Sequence, residues 1–279
     1  MSNNNKTINV LNNKQFVRGQ KHGFHLVDPS PWPIISAFSA LMLTFGAVGY
    51  FHSYQNGGFL LSFGFFMLLF SMFGWWRDVI REGTFEGQHT LSVQKGLKLG
   101  MLLFIASEVM FFFAFFWAFF HFSFNPSPAI GGVWPPAYIA TLDPWKVPLL
   151  NTIILLSSGA SVTWCHHSIV AGSKQSSLTS LILTVLAASI FTCLQIFEYV
   201  TASFSISDGV YGSIFYLATG FHGFHVLVGT IFLIICGLRI YFNHFTKEHH
   251  LGFEAAAWYW HFVDVVWLFL FISVYWWGN

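Results

Sequence analysis

Apolar runs long enough to cross a bilayer recur along this chain, and nothing else in the sequence restricts its fold as severely. Crossing a hydrocarbon core takes roughly 20 helical residues. Runs of that order stand near Trp32 to Phe51, Phe59 to Trp76, Leu97 to Phe122, Val147 to Val170, Leu178 to Val200, Val210 to Tyr241 and Phe253 to Trp277. In lipid every backbone polar group must find its partner inside the chain, so such segments become helices. The expectation is an all-α polytopic membrane protein with seven transmembrane helices. The second run is short, and its helix is free to continue through the turns from Arg77 to Glu82. Of the 279 residues only 8% are charged, against about 25% in a soluble domain, so a water-facing surface cannot be assembled from them.

Pro and Gly clusters mark the breaks: Pro29, Pro31 and Pro33 before the first run, Asn56-Gly57-Gly58 after it, and Pro126 to Pro136 after the third. Trp32, Trp75, Trp76, Trp145, Trp276 and Trp277 fall near run ends, where indoles sit at a membrane surface. Basic residues favour one side of a membrane. Lys6, Lys14, Arg18, Lys21, Arg77, Arg81, Lys95, Lys98, Lys174, Arg239 and Lys247 all fall in alternate connecting segments, while the other segments hold only Lys146. An odd number of spans follows, with the N-terminus inside and the C-terminus outside. The expected organisation is an N-terminal segment 1–31, a two-helix hairpin 32–82 and a five-helix bundle 83–279, forming one membrane domain. The N-terminal segment shows neither an apolar stretch nor an Arg-rich amphipathic helix, so no cleavable targeting sequence is expected there.

A net charge of +1 without any basic block excludes a nucleic-acid partner. Cys165, Cys193 and Cys236 each stand alone in an apolar run and are expected to be small core residues. No GxSxG, HExxH, P-loop or GxGxxG pattern occurs, which leaves hydrolytic, phosphate-transferring and dinucleotide chemistry without a foothold.

Glu108 lies mid-span, where an ionised carboxylate costs roughly 2.5 to 3.5 kcal/mol. It serves either as a proton-exchanging or partner-binding carboxyl, or as a protonated Glu hydrogen-bonded to a neighbouring helix. Such a carboxyl also allows a stand-alone proton channel or transporter. His222 and His225, three apart, share a helix face with the spacing of metal ligands, and His121 and His261 lie on other spans; structural duties are the commoner use of such residues. His166-His167 and His249-His250 are expected to be polar anchors at the membrane surface, since adjacent residues on a helix diverge. Arg77 and Arg81, beside Trp75 and Trp76, form either a seat for a lipid phosphate or a solvated helix end laced by pairs with Asp78 and Glu82. Glu198, Glu254 and Asp264 are the other acidic residues in or near spans. Helix-to-helix hydrogen bonding is the expected duty of Asp264, the deepest.

Long stretches of the sequence resemble the cytochrome c oxidase subunit III family: His25 to Pro33, Trp75 to Glu82, Val93 to Leu97, Ser107-Glu108-Val109, Phe115 to Phe119, Val147 to Thr152, Ile206 to Ser213, Ala218 to Gly223 and Gly252 to Trp267. The resemblance runs from about Gly23 to the C-terminus, and departs at the N-terminal extension and at Ile240 to Asn243. It implies a V-shaped bundle of two helices against five, with phospholipids bound in the cleft. It implies a non-catalytic subunit of the respiratory oxidase in the mitochondrial inner membrane, its N-terminus in the matrix and its C-terminus in the intermembrane space. Haem and copper would then reside in partner subunits I and II, with accessory subunits completing the complex, and this chain would carry no cofactor except lipid. By position, Glu108 resembles the family's buried third-helix carboxyl. Trp76, Arg77, Arg81, Glu82, His89, Arg239 and His250 resemble its lipid ligands, and His222, His225 and His261 become structural.

Overall fold

A computed structural model describes residues 22–279. Lys6, Lys14, Arg18 and Lys21, and most of the expected N-terminal segment, lie outside the described residues. The described chain is helical: α1 (Trp32–Phe51), α2 (Gly57–Thr84), α3 (Leu91–Phe124), a 3₁₀ turn (Pro128–Ile130), α4 (Val147–Ala171), α5 (Lys174–Thr201), α6 (Gly209–Tyr241) and α7 (Leu251–Leu270), which continues as a π-helix (Phe271–Trp277). Seven of these helices are long and apolar enough to cross a membrane. The α2 helix does run on through the Arg77 to Glu82 turns, since long cationic side chains at a span end can reach outward to water.

Local chemistry sets the boundaries. Proline stands in the first turn of α1 and of α4, where its missing N–H has no intrahelical partner to lose. Asn56 takes a left-handed φ of 63° to start α2, and Gly172 ends α4 at φ 82°.

Two compact units appear, one ending at Leu97 and the other spanning Lys98–Asn279. In the first, α1 and α2 pack backbone to backbone. A side chain at Gly64 would come within 2.5 Å of the Leu43 backbone nitrogen, and one at Gly46 would run into Leu61. Lipid tails are as apolar as the helices, so close approach over small residues supplies the attraction that hydrophobic burial cannot. Ser36 and Ser71 share a hydrogen bond across the pair at 2.9 Å, and the Trp32 indole N–H donates to Asp78 Oδ2 at 2.6 Å.

In the second unit α7 is the central helix, with Phe253, Trp260, Trp267, Leu270 and Val274 all buried. Indole N–H groups tie it to α4: Trp260 donates to Ser158 Oγ at 2.9 Å and Trp267 to Thr152 Oγ1 at 3.0 Å. Two expectations are corrected here. Cys165 and Cys236 are core residues, whereas Cys193 is exposed on α5. Asp264 makes no hydrogen bond to another helix among the described residues; it packs on Gly159 of α4 and meets His261 of its own helix at 3.9 Å.

The charge bias is visible within this unit. Lys174 Nζ donates to the Tyr241 carbonyl at 2.6 Å, Gly172 abuts Lys247, and the Arg239 guanidinium lies 4.2 Å over the Phe245 ring. These cations therefore gather where α4 and α6 end. Lys146 stands at the other end of α4, whose 25 residues span about 37 Å at 1.5 Å per residue.

Candidate functional site

The mid-span carboxylate of α3 finds its partner on α6. Glu108 Oε2 lies 2.7 Å from His225 Nε2, and His225 Nδ1 lies 2.6 Å from the Phe221 carbonyl oxygen one turn earlier. A carbonyl only accepts, so Nδ1 carries a hydrogen and Nε2 faces the carboxyl group. Two bare acceptors 2.7 Å apart would repel, so the contact requires one proton between them. The pair is then either a carboxylic acid with neutral imidazole or a carboxylate with imidazolium, and its net charge is zero in both states. That resolves the cost of placing Glu108 at this depth.

Aromatic rings surround the pair. The His225 ring stands 5.0 Å from Phe112 edge-on and stacks at 6.3 Å on Tyr259, which itself stacks on Phe104. An open cavity of about 420 Å³ borders Glu108 and His225, walled by Phe104, Phe111, Phe221, Phe224, Val228 and Tyr259. Its polar groups are the carboxyl, the imidazole and one phenol, an arrangement able to hold and exchange a proton without a separated charge.

The i, i+3 histidine pair splits. His222 is buried with Nε2 3.2 Å from the Val263 carbonyl of α7, while His225 turns to Glu108. His261 Nε2 stands 3.3 Å from Thr163 Oγ1, and His121 is exposed beside Phe122. His166 and His250, by contrast, come together from different helices, their Nε2 atoms 3.3 Å apart. Two of the histidines expected as polar anchors therefore also meet each other, a pairing that adjacency along one helix does not reveal.

Of the residues expected to hold lipid, Trp76 is exposed, and Arg77 and Arg81 extend from the end of α2. The Arg77 guanidinium grips Asp78 Oδ1 at 2.8 Å and 3.0 Å, and Arg81 Nε meets Glu86 at 3.2 Å. Of the alternative of a helix end laced by pairs with Asp78 and Glu82, the Asp78 pair forms with Arg77, while Arg81 turns to Glu86 and Glu82 to His25. Glu82 lies 4.0 Å from His25, whose ring meets His89 edge-on. In the second unit His250 is buried, and Arg239 lies against Phe245 and Gly252. Burial and the adjacent Arg239 hold His244 below the usual imidazole range.

Residues 22–279 match the family model described as cytochrome c oxidase subunit III. The chain belongs to the cytochrome c oxidase subunit III family. Curated relatives named cytochrome c oxidase subunit 3 include one from Arabidopsis thaliana, 63% identical over 94% of this chain and 99% of its own length. Those from Marchantia polymorpha and Pylaiella littoralis are 65% and 64% identical, each over 93% of this chain and over 98% and 95% of their own lengths. Membership in the subunit III family makes the seven-helix bundle a multi-pass membrane subunit of an oxidoreductase complex.

Proposed function

We propose that this chain is a non-catalytic core subunit of cytochrome c oxidase that supports assembly, stability and sustained proton uptake while electrons pass from cytochrome c to oxygen. The near full-length family match carries this reading. Haem and copper belong to subunits I and II in this proposal. The transmembrane histidines support it, since His222, His225 and His261 each face a protein group of their own. The setting is the mitochondrial inner membrane, N-terminus in the matrix and C-terminus in the intermembrane space, which the gathering of cations at one end of the second unit supports. Purification of the intact complex tests it: the chain is expected to co-migrate with oxidase activity and haem a absorbance, and its absence from that fraction refutes the assignment. A stand-alone proton channel is the second reading, favoured by the Glu108–His225 pair beside an open cavity. Proton flux through the pure chain in liposomes, abolished by Glu108→Gln, decides for it.

Lipid binding is part of the proposal. Trp76, Arg77 and Arg81, with Glu82 and His89 nearby, offer an indole and two guanidinium groups to a phosphate at the end of α2, and Arg239 offers a cation in the second unit. Each α2 arginine already has a carboxylate partner. Exposed pairs of this kind are worth only about 0 to 1 kcal/mol, so an anionic headgroup can compete for them. Replacing Arg77 and Arg81 together by Ala is expected to lower the phospholipid retained by the purified complex and to shorten its working lifetime more than its initial rate. Phosphorus analysis showing wild-type lipid content counts against the site.

A further inference from the structure

We propose that His166, His250 and Glu254 form a binding site for a divalent cation of the zinc class, joining the end of α4 to the start of α7. Among the described residues these three alone place His, Cys, Asp or Glu ligand atoms in one group, all within 4.8 Å of one another. His166 Nε2 is 3.3 Å from His250 Nε2, which is 3.5 Å from Glu254 Oε1. A tetrahedral zinc ion with bonds of about 2.0 to 2.1 Å sets its ligand atoms about 3.3 to 3.4 Å apart. Two of the three separations lie close to the edges of such a tetrahedron, and the third, between His166 and Glu254, is no longer than 4.8 Å, so a small side-chain rotation closes the set on an ion.

The neighbouring groups orient the set for metal. His250 Nδ1 lies 3.1 Å from the Thr246 carbonyl oxygen, so that nitrogen donates and Nε2 presents its lone pair inward. His250, capping the start of α7, and Glu254 on its first turn come together, and His166 reaches them from α4. Two imidazoles and one carboxylate favour zinc, copper or nickel over magnesium or calcium, and a fourth position stays open to water. His250 is buried while His166 and Glu254 are partly exposed, which leaves a path for the ion.

Lys98 is the built-in competitor. Its Nζ sits 2.5 Å from Glu254 Oε2, neutralising the carboxylate that the metal would share through Oε1. An ammonium beside a dication weakens the site, so removing it strengthens binding. In this role both ring nitrogens of His250 are engaged, Nδ1 with the Thr246 carbonyl and Nε2 with the ion, and neither is left for a lipid headgroup.

Radioactive zinc titrated into the chelator-dialysed oxidase complex tests the site. The wild-type complex is expected to hold one more zinc ion than complexes carrying His250→Gln or Glu254→Gln. The Lys98→Met complex is expected to bind that ion at least about tenfold tighter, the scale of effects from groups that tune a metal ligand. Equal zinc stoichiometry in wild type and both Gln variants overturns the proposal. Zinc affinity in Lys98→Met no higher than wild type also overturns it, and that arm stands even where a ligand variant does not assemble.

Discussion

Trp260→Ala is expected to destabilise the second unit by about 3 to 5 kcal/mol, the usual cost of emptying a buried aromatic site. Trp260 is 0% exposed, donates its indole N–H to Ser158 Oγ of α4 at 2.9 Å, and packs so closely on α6 that a side chain at Gly229 would meet its ring at 2.9 Å. One ring thus ties α7 to two other helices. In lipid the loss does not come from exposing apolar surface to water, because the surrounding tails are equally apolar; it comes from dispersion contacts that nothing replaces. Trp260→Phe keeps most of the contacts, and Ser158 keeps its own bond to the Leu155 carbonyl, so its cost is expected near 1 kcal/mol. Thermal release of this subunit from the purified oxidase measures both. Equal midpoints for Ala and wild type would show that α7 is not what holds the unit together.

The helices were legible because lipid turns length and apolarity into a decision. Which face of a helix meets protein was not legible, since a core face and a lipid face are both apolar. Cys193 shows this: it sits in the same kind of run as Cys165 yet faces outward. Partners across the bundle were equally hidden. Glu108 and His225 are 117 residues apart, and His166 and His250 are 84 apart. Adjacency rules for His166-His167 and His249-His250 were sound for one helix but silent on what another helix brings. Local spacing also left open the end of α2, where Trp32, 46 residues upstream, takes Asp78 by a hydrogen bond and Arg81 turns to Glu86. Glu108 was legible as an anomaly by its depth alone.

Glu108→Gln separates the structural duty of that carboxyl from its proton. The Gln amide can donate to His225 Nε2 in place of the acid, while Nδ1 keeps its bond to the Phe221 carbonyl. Its stability is therefore expected within about 1 kcal/mol of wild type, whereas Glu108→Leu strands a mostly buried imidazole nitrogen and is expected to cost about 1 to 3 kcal/mol. Neither variant retains the proton that the pair shares without net charge. If the pair feeds proton uptake, both lose sustained turnover to a similar degree despite their unequal stability, and the enzyme's activity decays several-fold sooner in each. If only the hydrogen bond matters, turnover endures in Gln and fails in Leu, in step with thermal release of the subunit. Stability and working lifetime measured on the same purified complexes distinguish the two, because a neutral amide reproduces the geometry of the acid but cannot exchange its proton.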